Sequence, residues 1–256
     1  MTDNGDPADG KKSRFTRREM ATVVAGAAAL SATTAIAQTT AAPRPARKTR
    51  RNIRPGEAAF RYLDEYQNKY ENVKLARDAR GVLTITLHSN GGAPNYENNV
   101  KNQLVDVFWN VGADRDNEVV IFTALGDSML ADYGGAMRGG GKPGPGFLDT
   151  WPETEWNTKH ALENLLDIEV PIISAIPGPC NHHTEWVLLS DVVLASPTFS
   201  FSDNGHFLTG RVPGDGAQIV YPMLMGANRA RYLMLTGQIM GVEEAHRLGI
   251  VNEIVP

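Results

Sequence analysis

The chain has one cysteine, Cys180, among its 256 residues, which excludes an internal disulfide framework and any cysteine-rich zinc site. Its body is also short of basic charge: residues 56–256 hold 14 Lys/Arg against 25 Asp/Glu, a formal charge of −11. Phosphate backbones are bound by basic faces, so nucleic acid is not expected as a partner of that body. A long hydrophobic run is missing as well. The uncharged early stretch Ala21–Ala37 is short, rich in Ala, Gly and Thr and weakly apolar, too little for a stable membrane span. The overall apolar content of 42% is nonetheless ordinary for a globular protein, and the length suits one sizeable domain with extensions.

The N-terminal region has the order of an export signal. Lys11, Lys12, Arg14, Arg17 and Arg18 form a charged segment around Thr16-Arg17-Arg18-Glu19-Met20, the uncharged run follows, and Ala35-Ile36-Ala37 gives a small-residue cleavage pattern. Paired arginines before a weakly apolar run predict a twin-arginine-type signal over 1–37, and so a folded protein exported to a periplasm or secreted. Residues 38–55 are rich in Pro, Ala and Arg, without apolar periodicity, and read as a basic extended linker. The folded core is expected over 56–256.

Within the core, helix is expected at 57–70, and paired strands at 72–77 and 82–88 flank a turn at 78–81. Leu83, Ile85 and Leu87 alternate onto one face. Val100, Leu104, Val107, Phe108 and Val111 keep helical spacing. Strands are expected at 118–123, 171–176, 192–195 and 198–201, and helices at 156–166, 186–190, 215–225, 228–236 and 242–248. Strands alternating with helical crossovers define an α/β class with a mainly parallel sheet. Residues 134–146 carry seven glycines and two prolines, the composition expected of a mobile loop or lid. It is no phosphate loop, because Gly141-Lys142 is followed by Pro143.

Chemistry concentrates between Gly178 and Asp215. Three of the six histidines (His182, His183 and His206) fall there, together with Glu185, Asp203 and Asp215. Groups titrating near neutrality beside carboxylates are what acid/base catalysis requires. Spacing alone leaves other roles open, since an aspartate at a helix start is often a cap and a histidine after glycine often a surface residue. His88, His160 and His246 read as scaffold, and Cys180 as a buried small side chain.

Several patterns resemble the crotonase (enoyl-CoA hydratase/isomerase) superfamily. Ile168–Pro179 resembles its strand into the second oxyanion-hole loop, and Val212-Pro213-Gly214-Asp215-Gly216 its Pro-Gly helix start. Leu235-Thr236-Gly237 and the stretch Ala245–Val251 resemble segments downstream. The resemblance is closest to the β-diketone hydrolases of the 6-oxocamphor hydrolase type, at 66–73, 163–171 and 205–217. It implies a crotonase-like ββα superhelix of repeated units, acting without cofactor or metal, as a homotrimer or hexamer, on a small-molecule diketone. It also implies a His206–Asp215 acid/base dyad, with His183 contacting a substrate carbonyl and Tyr96 standing where those relatives have tryptophan. Of the neighbours, His182 and Glu185 are expected to line the substrate site, and Tyr133 N–H to serve the first oxyanion hole. A C-terminal helical cover of the family is expected to be missing.

The expected reaction is hydrolysis of the bond between two carbonyls, with His206 as base and Asp215 orienting its ring. Three alternatives stand beside it. An acyl-CoA hydratase or isomerase is disfavoured by His182-His183-Thr184-Glu185 in place of a glycine-rich segment and by His206 in place of a glutamate. A metal site built from His182, His183, His206 and Glu185 lacks the usual ligand spacing. A binding protein that kept the fold without activity is the third.

Overall fold

A computed structural model describes residues 60–95, 100–130 and 147–256, without the side chains of 147–151. The expected signal and linker, the glycine-rich loop, Tyr96 and Tyr133 lie outside the described residues.

Strand β1 (Val73–Arg77) turns back through Asp78 to β2 (Val82–Leu87), pairing antiparallel with Val73 opposite Leu87. Asp78 closes the turn by accepting hydrogen bonds from the backbone N–H groups of Arg80 and Val82. From β2 onward the sheet is parallel, running through β3 (Val119–Ala124), β4 (Ile172–Ile176) and β5 (Val192–Ala195) to β8 (Glu253–Ile254). Strands covered on both faces are apolar almost throughout, and Val120, Ile121 and Phe122 of β3 are all buried.

A second, shorter layer explains the repeat. Parallel bridges join Leu130 to Cys180 and Cys180 to Phe201, a few residues after β3, β4 and β5 respectively. Phe201 belongs to β6 (Ser200–Phe201), which pairs with β7 (Met240–Gly241). Strands β3, β4 and β5 are thus each followed by a short step in the second layer, a ββα unit used repeatedly. Gly178 lies on the chain between the two layers, where a Cβ would meet the Asp127 carbonyl oxygen at 1.8 Å.

Helices cover the sheet. In α2 (Val100–Gly112) the five apolar residues at helical spacing are buried, as the periodicity predicts. It packs against α3 (Phe147–Leu166), which starts nine residues before the expected 156 and holds Pro152 within its first two turns. Proline there loses a single helical hydrogen bond close to the helix start. By contrast α1 is one turn, Leu63–Tyr66, rather than the helix expected to run to 70: buried Tyr66 is tied by its hydroxyl to Asp114 and fixes the chain direction. After β4 come α4 (Thr184–Leu188), α5 (Ala217–Met225), α6 (Ala227–Thr236) and α7 (Val242–Arg247). Only Ser200–Phe201 of the expected 198–201 strand is paired.

Candidate active site

Three loops converge on one corner. The first follows β4 and enters α4 through His183, whose backbone is left-handed at φ 48°, ψ 39°. That conformation is glycine's ordinary territory and costs another residue about 1–2 kcal/mol. Here it presses the His183 ring flat against Trp186, with centroids 4.2 Å apart and planes 2° from parallel, while Nδ1 lies 2.7 Å from Glu185 Oε1. The second loop follows β6 and carries Asp203 and His206, ahead of the 3₁₀ turn Phe207–Thr209. The third brings Asp215, one residue before Gly216, the N-cap of α5.

The structure brings His206 and Asp215 together: Nε2 lies 2.9 Å from Asp215 Oδ2. It also adds a partner that the expected dyad lacked, since His206 Nδ1 is 2.7 Å from Asp203 Oδ1. The same Asp215 Oδ2 lies 3.6 Å from His183 Nδ1. Two histidine–carboxylate pairs therefore meet at one aspartate, in the order Asp203–His206–Asp215–His183–Glu185. Asp203 Oδ2 and Asp215 Oδ1 are buried with no hydrogen-bond partner among the described residues. Asp215 falls short of the helix by two residues, and its side chain does not cap α5, which leaves it to face the histidines.

The electrostatics follow from this packing. Burial alone would lower the pKa of His206, but hydrogen bonds to Asp203 and Asp215 outweigh it and raise the imidazolium to about 10. Burial would raise Asp215, yet the bond to His206 and the nearby His183 hold its carboxyl at about 2. Glu185 is raised, first by complete burial and then by repulsion from Asp215. His182 is pushed down to about 3 by burial and by the neighbouring His183 and His206, so it is a neutral ring. Cys180, wholly buried, is pushed up to about 12 and offers no thiolate.

Of the remaining expected residues, Glu185 is buried against His183 rather than lining open space. His160 and His246 bond to backbone carbonyls of Trp156 and Val251, as scaffold histidines do. His183, Glu185 and Asp215 present ligand atoms within 4.8 Å of one another, enough to consider a cation. The 2.7 Å His183–Glu185 contact is a proton-bridged pair, shorter than the roughly 3.3 Å between two ligands of a tetrahedral ion held at about 2.0–2.1 Å. An ion would have to open it.

A parallel sheet stepped into a second layer, with acid/base groups where its loops converge, defines a crotonase-type fold with an enzyme-like site. The enoyl-CoA hydratase/isomerase family model matches residues 77–256, and the chain belongs to that family, within the crotonase superfamily. Among solved structures it is similar to a β-diketone hydrolase from the cyanobacterium Anabaena sp. PCC 7120 bound to (S)-3-oxocyclohexyl acetic acid, at 37% identity. That match covers 75% of each chain, with a TM-score of 0.67. It is also similar to an enoyl-CoA hydratase/isomerase from Cupriavidus metallidurans, at 26% identity over 72% of this chain and 68% of that one, with a TM-score of 0.60. Among curated relatives, a peroxisomal enoyl-CoA hydratase 1 of Arabidopsis thaliana is 26% identical over 72% of this chain and 66% of its own length. Carnitinyl-CoA dehydratase of Escherichia coli K12 is 27% identical over 72% and 68%. The chain thus spans about two thirds or less of the first curated relatives it matches.

Proposed function

We propose that this chain hydrolyses a carbon–carbon bond of a β-diketone by a retro-Claisen reaction. The observation that carries the reading is His206 held between two carboxylates beside the His183–Glu185 pair. The 37% identity with a β-diketone hydrolase supports it.

The chemistry runs as follows. In the neutral form of His206, Asp203 keeps the Nδ1 proton, and the Nε2 lone pair, released from Asp215 Oδ2, takes a proton from water as the water oxygen attacks one carbonyl carbon. Asp203 and Asp215 stabilise the imidazolium that forms. The tetrahedral intermediate collapses, the bond to the central carbon breaks, and its electron pair moves into the second carbonyl as an enolate. The imidazolium returns the proton to that carbon, leaving one carboxylic acid and one ketone. The 2.7 Å contact between His183 Nδ1 and Glu185 Oε1 fixes the ring and directs Nε2 to the substrate. An N–H at Nε2 is the donor for a substrate carbonyl. Tyr96 and Tyr133 N–H complete the substrate contacts in this reading.

Turnover of cyclic and linear β-diketones by the wild type, followed as loss of diketone absorbance, tests the proposal beside His206→Ala. A loss of 10³-fold or more in the variant is expected. Equal rates would remove His206 from the reaction, and an inert wild type would favour an acyl-CoA substrate. Within the same reading, residues 1–37 direct export and the protein assembles as a trimer or dimer of trimers. Retention in the cytoplasm of Arg17→Lys/Arg18→Lys chains tests the former, and light scattering the latter.

A further inference from the structure

Lys101 lies in the first turn of α2, and its ammonium donates a hydrogen bond to Thr158 Oγ1 on α3 at 2.7 Å. Thr158 donates its own hydroxyl proton to the Thr154 carbonyl, which leaves its oxygen oriented as an acceptor toward the lysine. One turn further along α3, Leu162 approaches Gly216: a Cβ there would lie 2.3 Å from Leu162 Cδ1 and 3.5 Å from Glu185 Cγ. Residues four apart on a helix are about 5–6 Å apart. Thr158, which anchors the ammonium, therefore lies one helical turn from Leu162, where α3 meets Gly216 beside Asp215.

Among the described residues Thr158 is the sole hydrogen-bond partner of Lys101, and no carboxylate lies within ion-pairing distance of it. A half-buried ammonium with two N–H donors unused among the described residues is costly unless something negative completes it. Burial lowers the lysine's pKa, while the charges of Asp215 and Glu185 act on it in the opposite sense. A neutral diketone offers no negative group. The oxyanion of the attacked carbonyl, and the carboxylate it becomes, do.

We propose that Lys101 is a substrate-contacting residue that binds the carboxylate formed on cleavage and thereby selects which of two unlike carbonyls is attacked. This rests on the retro-Claisen reading. The lysine stem brings a compact charge to a fixed place, so the carbonyl seated nearest to it is the one whose oxygen gains charge most favourably.

The test is a binding measurement independent of turnover. Calorimetry at pH 8 compares 3-oxocyclohexylacetate and 5-oxohexanoate with their methyl esters, on wild type, Lys101→Met and Lys101→Arg, each first shown to melt as the wild type does. The wild type should prefer each acid to its ester at least tenfold. Lys101→Met should lose that preference with ester affinity unchanged, and Lys101→Arg should recover part of it. A lysine that merely balances Asp215 and Glu185 would move the pH dependence of activity and leave the acid-to-ester ratio intact, which overturns the proposal. So would a wild type without acid preference. If the wild type cleaves no diketone yet shows the Lys101-dependent preference, the reaction class fails and the carboxylate site stands.

Discussion

The two carboxylates on His206 make activity depend on pH in a way that a free histidine would not. An imidazolium moved from an ordinary 6.5 to about 10 is favoured by about 5 kcal/mol, at 1.36 kcal/mol for each factor of ten. Solvent at the 17% exposed ring screens part of this, leaving a few kcal/mol. The depressed Asp215 reports the same contact from the other side, so the two effects are not added. If neutral His206 is the base, kcat/KM rises tenfold per pH unit from about 7 and levels near 10. Asp203→Asn removes the carboxylate on Nδ1, which holds 2.7 Å from the ring. Losing an opposite charge at that range lowers a histidine pKa by roughly 1–3 units, so the limb should shift down by that much while the plateau falls for want of an oriented ring. Initial rates of diketone loss at constant ionic strength from pH 6 to 11 measure both. A wild-type rate that falls through pH 10, or a limb that Asp203→Asn leaves in place, would refute the reasoning. Stability has the opposite sign. The folded pKa exceeds the unfolded one, so the contribution is fully present below about 6.5 and lost as pH rises through about 10. The melting temperature should fall across that interval, and less so in Asp203→Asn.

Glu185→Gln should cost less than tenfold in kcat, because the amide still hydrogen-bonds to His183 Nδ1 and holds the ring. Glu185→Leu should cost 10²-fold or more, and similar losses in both would mean that Glu185 acts as a carboxylate. Gly178→Ala should destabilise by about 3 kcal/mol or more in urea melts, since its Cβ would meet the Asp127 carbonyl oxygen at 1.8 Å. Gly210→Ala should cost only about 1 kcal/mol, because its φ of +76° is strained but nothing lies within 4 Å.

The fold was most legible where one face of an element is buried. Val100, Leu104, Val107, Phe108 and Val111 announce α2 because a helix on a sheet needs an apolar stripe. The early start of α3 was not, because Pro152 interrupts the local signal while packing against α2 sustains the helix. The short second-layer steps at Leu130, Cys180 and Phe201 have too few residues to show a period, and the resemblance alone implied them. At the site, the three-residue interval between Asp203 and His206 was in plain view, yet such spacing is common in loops. The nine residues from His206 to Asp215 span a 3₁₀ turn and a loop, so their contact is tertiary and entered through the resemblance. Lys101 gave no sequence signal: it meets Thr158 only because α2 and α3 pack together.

The most direct test of the central claim is product identity. Incubation with an unsymmetrical linear β-diketone and, separately, with a 2-enoyl-CoA thioester, followed by mass spectrometry, separates the two chemistries of the family. The account predicts one carboxylic acid and one ketone in equal amounts from the diketone, the pair together heavier by one water, and no hydration of the thioester. Hydrated thioester with intact diketone would contradict it.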